Sequence, residues 1–444
     1  MTDIDNATRT AVTGDADLVA VLHNARAAQP DWARTPAAGR AAVLHDVAAA
    51  LREHADELAE TLEAETGRPA ISGREGVLAG AGTLDQYAEL GPVHRGRTLQ
   101  GSWEATDFMI PQPRGVVVAL TPWNDPVAIA CGLLGAALVT GNTVVHKPSE
   151  RSPRTGARLG ELFGDRFPEA VVQTVAGDGR VGAALAEAPG IDVIAHVGAT
   201  ATGRAIAAAA ARTGAKVLLE NGGNDPLLID ADVDPVWAAE QAATGAFANA
   251  GQICVSVERI YVHRDIAERF VPALCDQARR WNLDPQPLVD PRLRDTVHAQ
   301  VSEAVERGAK ALVGGVVPEG PGSTYPATVL TDCLPGMRVL REETFGPVAP
   351  VRVVSDFATG LAEACDDEYG LAATVLTGSM EHAQQAWRAL PVGTVKVNSV
   401  FGGAPGGAAQ PRGRSGTGYG YGPELLDEMT TTKVVHLEAA PPRR

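Results

Sequence analysis

Apolar strand-like segments alternate with helical segments along most of this chain, and this alternation constrains the fold more than any other feature. Residues 115–120 read GVVVAL, which is typical of a buried strand. Because parallel neighbours in a sheet need a helical crossover, the pattern predicts a doubly wound parallel sheet, with ligands beyond the carboxyl ends of its strands. Further strand-like segments are residues 142–148, 171–177, 191–198 and 216–223.

A second series of the same kind follows Gly223. The chain has 444 residues, which exceeds what one hydrophobic core usually serves. We therefore predict an α/β protein with two large lobes, divided near Gly222 and Gly223. The strand-like segments of the second series are residues 258–263, 311–315, 348–354, 371–378 and 393–399, separated by helical segments such as residues 266–281.

Charge and cysteine content exclude several classes of protein. The net charge of −16 opposes binding to nucleic acid or to anionic lipid. No apolar run reaches the roughly 18 residues of a membrane span, and residues 1–17 lack the pattern of a secretory signal. The five cysteines are widely spaced and include no CxxC pair, so neither a disulfide framework nor a metal site is predicted. We expect a cytoplasmic protein with reduced thiols.

Three distant residues could form a catalytic site. Cys254 lies in FANAGQICVSVER, Asn124 in TPWNDP and Glu220 in LLENGGNDP. Taken singly, a buried thiol, a turn residue and a surface carboxylate are the ordinary interpretations. Together they supply a nucleophile that can attack a carbonyl, an amide donor for the oxygen, and a general base.

Two glycine-rich turns compete as binding sites for a pyrophosphate. GDGRVG, which contains Gly179, matches GxGxxG, and GATATG runs from Gly198 to Gly203 before a helical segment. Either could present backbone N–H groups at a helix N-terminus, although such turns also serve tight packing alone. We favour GATATG. Lys147 and Glu150, in HKPSE, follow a strand and could reach ribose hydroxyls.

These motifs, with EETFGPV, VKVNS and SGTGYG, resemble the aldehyde dehydrogenase superfamily in order from about Ala25 to Val435. The resemblance implies two doubly wound Rossmann-like lobes with a small oligomerisation element. It also implies that Cys254 is the nucleophile, Glu220 the general base and Asn124 the oxyanion donor. The cofactor-binding residues that it implies are Trp123, Lys147, Glu150, Gly179, Gly198, Gly203, Glu343 and Phe345.

The resemblance divides the chain into three parts. The implied cofactor-binding domain comprises residues 1–94 and 114–222, and the catalytic domain comprises residues 223–414. Residues 95–113 and 415–444 would form the oligomerisation element and the C-terminal tail, so we expect a homodimer or homotetramer.

The implied reaction is NAD-dependent oxidation of a small-molecule aldehyde through a thiohemiacetal and a thioester on Cys254, hydrolysed by water that Glu220 activates. Glu150 favours NAD over NADP, because a carboxylate accepts from the 2′-hydroxyl and repels a 2′-phosphate. Three alternatives stay open: a degenerate member that binds nucleotide or a protein partner without turnover, an acylating CoA-dependent enzyme, and a cysteine hydrolase without cofactor.

Several residues depart from the family pattern. Ala199 replaces the usual serine of the phosphate turn, His196 and Val197 precede that turn, and Asn221 and Asn224 replace leucine and lysine. Asp125 and Arg412 stand where pocket aromatics are common. They suggest a polar pocket for a semialdehyde held by Arg412 or an aminoaldehyde held by Asp125, unless these two residues pair with each other.

Overall fold

Four helices open the part of the chain that the computed structural model describes, which comprises residues 13–403 and 407–440. Leu44, Val47 and Leu51 are fully buried, because residues three and four apart share one face of a helix. Residues 1–12, on which the prediction about a secretory signal partly rests, lie outside the described residues. The first elements are α1 (Asp15–Arg34), α2 (Ala37–Glu53), α3 (Ala55–Thr66), α4 (Ala70–Leu90), β1 (Arg97–Leu99) and β2 (Ala105–Pro113).

The first lobe is built on a parallel sheet with the strand order β7-β6-β3-β4-β5. Every residue of β3, β4 and β6 is buried, because α2, α4 and α5 cover one face while α1, α7 and α8 cover the other. Its elements are β3 (Val116–Leu120), α5 (Pro126–Val139), β4 (Thr143–Lys147), α6 (Pro153–Gly164), β5 (Val172–Thr174), α7 (Gly179–Glu187), β6 (Val193–Val197), α8 (Thr200–Thr213) and β7 (Lys216–Glu220).

The second lobe contains a seven-stranded sheet with the order β10-β11-β12-β9-β8-β13-β14, in which only the pairing of β10 with β11 is antiparallel. Helices α9 and α10 cover one face, and α12 and α13 cover the other. Its elements are β8 (Asp225–Ile229), α9 (Pro235–Phe247), β9 (Val257–His263), α10 (Arg264–Trp281), α11 (Pro291–Glu306), β10 (Lys310–Val313), β11 (Thr328–Thr331), β12 (Val348–Val354), α12 (Phe357–Cys365), β13 (Ala372–Leu376), α13 (Met380–Ala389) and β14 (Thr394–Val397).

The last part of the chain returns to the first lobe as β15 (Gly416–Thr417), α14 (Glu424–Glu428) and β16 (Thr430–Glu438). Strand β15 pairs antiparallel with β7 and extends the first sheet to six strands. Leu425, Leu426 and Met429 enter the core of that lobe. Strand β16 pairs with β2 over nine residues in a separate sheet with the order β1-β2-β16.

The predicted α/β class with doubly wound lobes is confirmed. The three-part division stays a prediction. Its last part, residues 415–444, contains β15, which belongs to the first sheet, and β16, which belongs to the small sheet. The sequence analysis overlooked β8 and β11, and it did not recognise strands in residues 91–114. No helix among the described residues combines the length and apolar character needed to cross a bilayer.

Candidate active site

Cys254 lies between α9 and β9 and follows an unusual backbone. Asn249, Ala250 and Gly251 have φ of 50°, 53° and 74°, three consecutive residues in the left-handed region. This conformation costs a non-glycine residue about 1–2 kcal/mol, so the surrounding packing must maintain it. A Cβ on Gly251 would lie only 2.2 Å from the carbonyl oxygen of Gly346. The loop that carries Cys254 is therefore pressed against the EETFGPV segment.

Glu220, at the carboxyl end of β7, lies beside the thiol. The Sγ atom of Cys254 donates to Oε1 of Glu220 at 3.5 Å. Burial raises the pKa of Glu220, and it raises the pKa of the Cys254 thiol well above its usual value, with a further contribution from the charges of Glu220 and Asp225. The thiol is thus protonated at neutral pH, and Glu220 is placed to accept its proton.

Asn124 follows β3 and is buried against the same loop. Its Nδ2 donates to the carbonyl oxygen of Gln252 at 3.1 Å. The Arg68 guanidinium donates to the backbone carbonyl oxygen of Asn124 at 2.7 Å. An amide nitrogen carries two hydrogens, so a second one is left for a substrate oxygen. The Asn124 side chain is therefore held by Gln252, which lies two residues before Cys254 in the sequence, and Arg68 holds its backbone.

Glu343 and Phe345 lie on a loop that Glu258 holds. Both carboxylate oxygens of Glu258 accept backbone N–H groups, from Thr344 at 2.7 Å and from Phe345 at 3.0 Å. Phe345 has φ of 51° and meets the ring of Trp123 edge-on, with centroids 5.8 Å apart. The structure thus brings Trp123 and Phe345 together, as expected of two residues at one cofactor site.

The carboxyl group of Glu343 lies beside the turn that follows Glu220. It accepts the Gly223 N–H at 3.2 Å, and a Cβ on Gly222 would be 1.9 Å from it. Burial raises the pKa of Glu343 to about 8, with a contribution from Glu258. Burial thus favours the neutral form of Glu343 at this turn.

Lys147 and Glu150 lie beyond the end of β4. The Lys147 ammonium is buried, donates to the Pro148 carbonyl at 3.1 Å and lies 3.8 Å from the Glu150 carboxylate. A cavity of about 370 Å³ adjoins Glu150, between α6 and the segment that ends at Gly177. Its position beyond the carboxyl ends of β4 and β5 suits an adenosine group.

The two glycine turns differ in how their helices begin. The Asp178 carboxylate already caps α7 by accepting the Arg180 N–H at 2.9 Å, and its charge would repel a phosphate. Helix α8 has Ala199 at its N-cap and no side-chain cap, so its first N–H groups can receive an anion. The described residues therefore fit a dinucleotide with its pyrophosphate at GATATG, as favoured. Gly203 also has a packing role, since a Cβ there would be 1.9 Å from Oδ1 of Asn221.

The structure does not bring Asp125 and Arg412 together, so the suggestion that they pair is wrong. Asp125 is paired with Arg68 at 2.9 Å, and a Cβ on Gly76 of α4 would lie 2.5 Å from its carboxylate. Arg412 is exposed, and its backbone N–H donates to Gly370. Arg68 provides the nearer partner because α4 packs against α5, a long-range contact that no motif records.

Sequence analysis missed several residues that support the site. Gln252 accepts the Asn124 amide, Glu258 anchors the Glu343 loop, and Arg68 holds Asn124. Asp225 and Lys396 also lie close enough to Cys254 for their charges to act on it. Gln252 and Glu258 lie inside the FANAGQICVSVER motif, so the motif itself was the available signal, whereas nothing pointed to Arg68 or Lys396.

The chain matches known proteins over nearly its whole length. A model described as the aldehyde dehydrogenase family matches residues 3–435. A putative succinate-semialdehyde dehydrogenase (NADP(+)) 2 of Mycobacterium bovis (strain BCG / Pasteur 1173P2) is 34% identical over 439 residues, which are 95% of this chain and 84% of that protein. The lactaldehyde dehydrogenase of Escherichia coli (strain K12) is 31% identical over 427 residues, which are 94% of this chain and 89% of that protein.

Solved structures extend the comparison to the fold. The crystal structure of PnpE in complex with nicotinamide adenine dinucleotide superposes with a TM-score of 0.94 at 30% identity. The superposition covers 98% of this chain and 92% of the PnpE chain. The similarity therefore includes both lobes and the returning C-terminal segment.

Proposed function

Because this chain belongs to the aldehyde dehydrogenase family, we propose that it oxidises an aldehyde to a carboxylic acid, with Cys254 as nucleophile, Glu220 as general base and Asn124 as oxyanion donor. The family and the relatives make the chain an oxidoreductase that uses NAD or NADP. The observation that carries the finer proposal is the 3.5 Å contact between the Cys254 thiol and the Glu220 carboxylate.

In the proposed first step, the Cys254 sulfur forms a bond to the aldehyde carbon while the thiol proton passes to Glu220. Negative charge develops on the former carbonyl oxygen. The Asn124 amide and the Cys254 backbone N–H stabilise this charge, and one such donor is typically worth about 3 kcal/mol. The covalent bond also holds the reacting carbon in a fixed orientation.

Trp123, Phe345 and the N-terminus of α8 would hold NAD(P)⁺ beside this site, and the cofactor would supply the acceptor for the hydride that leaves the substrate carbon. Cys254 then carries the acyl group as a thioester, and Glu220 returns its proton to solvent. Glu220 next removes a proton from a water molecule, whose oxygen attacks the thioester carbon. The carbon–sulfur bond breaks, the acid leaves, and the thiol is restored. The raised pKa of Glu220 suits this role, because a stronger base removes the proton more readily.

The alternatives are less well supported. An acylating CoA-dependent enzyme transfers the acyl group to a thiol and needs no carboxylate to activate water, yet Glu220 contacts Cys254 directly. A degenerate binding protein would have no reason to keep the nucleophile, the base and the amide donor in one place. For a hydrolase without cofactor, no motif supplies a histidine partner for Cys254.

A panel of aldehydes assayed with NAD and with NADP tests this function directly. We expect acid and reduced cofactor to form in equal amounts, with a higher kcat/KM for NAD because of Glu150.

Glu150→Gln should shift the ratio of kcat/KM for NAD to kcat/KM for NADP about tenfold towards NADP, equivalent to about 1.4 kcal/mol. Absence of turnover with every aldehyde would contradict the function, and a preference of the unmodified enzyme for NADP would contradict the role of Glu150.

We also propose a polar or charged substrate. The Asp125 carboxylate lies next to Asn124, and the names of the lactaldehyde and succinate-semialdehyde relatives denote small polar aldehydes. The open choice is between a semialdehyde held by Arg412 and an aminoaldehyde held by Asp125. Turnover of hexanal equal to that of the polar aldehydes would contradict this proposal.

A homo-oligomeric assembly through the small sheet is a further proposal. Large apolar side chains are exposed on this sheet, including Leu99, Ile110, Val434 and Leu437. We expect light scattering to give at least the mass of a dimer, whereas a monomer across the micromolar range would contradict it.

A cytoplasmic location is likewise proposed, because the five free cysteines fit a reducing compartment. Cell fractionation tests this location.

A further inference from the structure

An ion pair joins the two lobes beside the cofactor-binding residues. Nη2 of Arg151, which directly follows Glu150 in the first lobe, lies 3.0 Å from Oδ2 of Asp290 in the second lobe. Arg151 lies between β4 and α6, and Asp290 directly precedes α11. The two side chains are only 25% and 19% exposed. This inter-lobe ion pair is therefore partly buried at the boundary between the lobes.

Arg151 also contacts Trp123, one of the residues that would hold the cofactor. The guanidinium carbon of Arg151 lies 5.6 Å from the centroid of the Trp123 ring. The same ring meets Phe345 of the second lobe, with 5.8 Å between centroids. A guanidinium beside an aromatic ring is attracted to its electrons and restricts the movement of the ring. Arg151, Trp123 and Phe345 thus form a continuous set of contacts from the first lobe to the second.

Asp290 is held firmly within the second lobe. Its Oδ1 accepts the Leu293 N–H at 2.9 Å and caps α11. The preceding residue, Val289, donates its N–H to Oε1 of Gln252 at 2.8 Å. Burial acts to raise the pKa of Asp290, but the Leu293 N–H and the charge of Arg151 outweigh it, so this pKa lies below its ordinary value. Asp290 therefore presents a fixed, ionised carboxylate to the first lobe.

A bound dinucleotide has to cross the same boundary. The cavity that suits the adenosine group adjoins Glu150 in the first lobe, whereas hydride transfer requires the nicotinamide beside Cys254 in the second. Binding of the nicotinamide half thus depends on the placement of the lobes, and binding of the adenosine half does not. A partly exposed ion pair adds little to the free energy of unfolding, so we expect its effect on the cofactor site and not on overall stability.

We propose that the ion pair between Arg151 and Asp290 holds the two lobes together at the cofactor site, and that Arg151 positions Trp123 against Phe345 for binding of the nicotinamide half of the cofactor. Arg151 is a positioning residue, because it acts through the Trp123 ring and through the lobe boundary. This role requires cofactor binding, but it does not require the catalytic roles proposed for Cys254 and Glu220.

Arg151→Ala tests this role by calorimetric titration, without turnover. We expect the Kd for NAD, or for NADP if the unmodified enzyme prefers it, to rise about fivefold, equivalent to about 1 kcal/mol. The Kd for 5′-AMP should stay within about twofold, because AMP occupies only the adenosine site of the first lobe. Equal weakening of both ligands would show that Arg151 shapes the adenosine site or contacts a phosphate, and would overturn the proposal. Unchanged affinity for the dinucleotide would also overturn it.

Asp290→Asn separates the inter-lobe ion pair from a general effect of charge. Asparagine still caps a helix N-terminus, so α11 is kept, but it cannot form the ion pair with Arg151. Removing a negative charge near an anionic cofactor should by itself tighten binding. We instead expect the Kd for the dinucleotide to rise about as much as in Arg151→Ala, and the double variant to bind no more weakly than either single variant. Unchanged or tighter binding in Asp290→Asn, or additive losses in the double variant, would overturn the proposal.

Arg292→Ala is the matched control. Arg292 lies 3.1 Å from the same Asp290 oxygen, but it belongs to the second lobe and is 77% exposed. Its removal should change the Kd for the dinucleotide by less than about twofold, and a loss equal to that of Arg151→Ala would contradict the inter-lobe role. Arg151→Lys keeps the charge but loses the planar group beside Trp123, so it should recover only part of the lost affinity. Complete recovery would exclude the positioning of Trp123.

These titrations separate the inter-lobe ion pair from the reaction. If the affinities change as expected but no aldehyde is oxidised, the proposed function fails and the role of the ion pair stands. If aldehydes are oxidised but Arg151→Ala and Asp290→Asn bind the dinucleotide like the unmodified enzyme, the role of the ion pair fails and the function stands.

Discussion

Replacing Cys254 by alanine is expected to lower kcat/KM for aldehyde oxidation by roughly 10⁴-fold or more, because neither the thiohemiacetal nor the thioester can form. The variant should still fold, since the change removes one half-buried sulfur atom, which donates to the Glu220 carboxylate. Reduced cofactor measured over a long incubation gives the residual rate, and a melting curve shows that the fold is kept.

Cys365→Ala is the matched control for this experiment. Cys365 is also a partly exposed free thiol, but it lies at the end of α12 and contacts the Ala389 carbonyl in the second lobe. We expect its activity to stay within about twofold of the unmodified enzyme, as for a typical surface substitution. If Cys254→Ala kept more than a tenth of the activity, the covalent mechanism would be wrong.

Glu220→Gln is expected to lower the steady-state rate roughly 10²–10³-fold, because it removes the base that activates water. Hydride transfer precedes this step. The thiol addition before it also loses Glu220 as proton acceptor, but solvent can take that proton, so hydride transfer should slow less than deacylation. The variant should therefore produce a rapid burst of about one reduced cofactor per subunit, followed by slow turnover. Intact-mass measurement during the slow phase should find the acyl group on Cys254.

The pH dependence supplies a second readout of Glu220. Burial raises its pKa, so the carboxylate form that acts as base is present only above this raised pKa. The deacylation rate should consequently fall as the pH is lowered through it, at a pH above the ordinary range of a glutamate. Glu220→Gln should abolish this acid limb. A burst-free variant with an unchanged pH profile would show that Glu220 does not activate the water.

Much of the fold and the central pair of the site could be predicted from the sequence, for identifiable reasons. Strands β3, β4 and β6 are buried on both faces and therefore appear as unbroken apolar runs. Strand β8 was missed because it begins with Asp225 and Pro226, residues that usually mark a turn. Strand β2 was missed because its residues are only partly buried and include two prolines.

The parts of the site that could not be predicted depend on contacts between distant elements. Arg68 pairs with Asp125 only because α4 packs against α5, and the sequence instead suggested Arg412. The Cys254–Glu220 contact was implied by the family resemblance, but the carboxylates of Glu343 and Asp225 near the thiol were not. Their effect on the thiol depends on burial, which no local sequence pattern reports.

The return of residues 416–438 to the first lobe has a consequence for biosynthesis. Asn142 in the first lobe donates to the Met429 carbonyl at 3.0 Å, and Arg114 donates to the Glu428 carbonyl at 2.8 Å. A growing polypeptide emerges from the ribosome from its N-terminus, and domains generally fold as units in that order. Here the N-terminal lobe lacks β15, α14 and β16 until residues 416–438 have been translated. Nascent chains halted before residue 415 should consequently carry an unfinished first lobe that depends on chaperones.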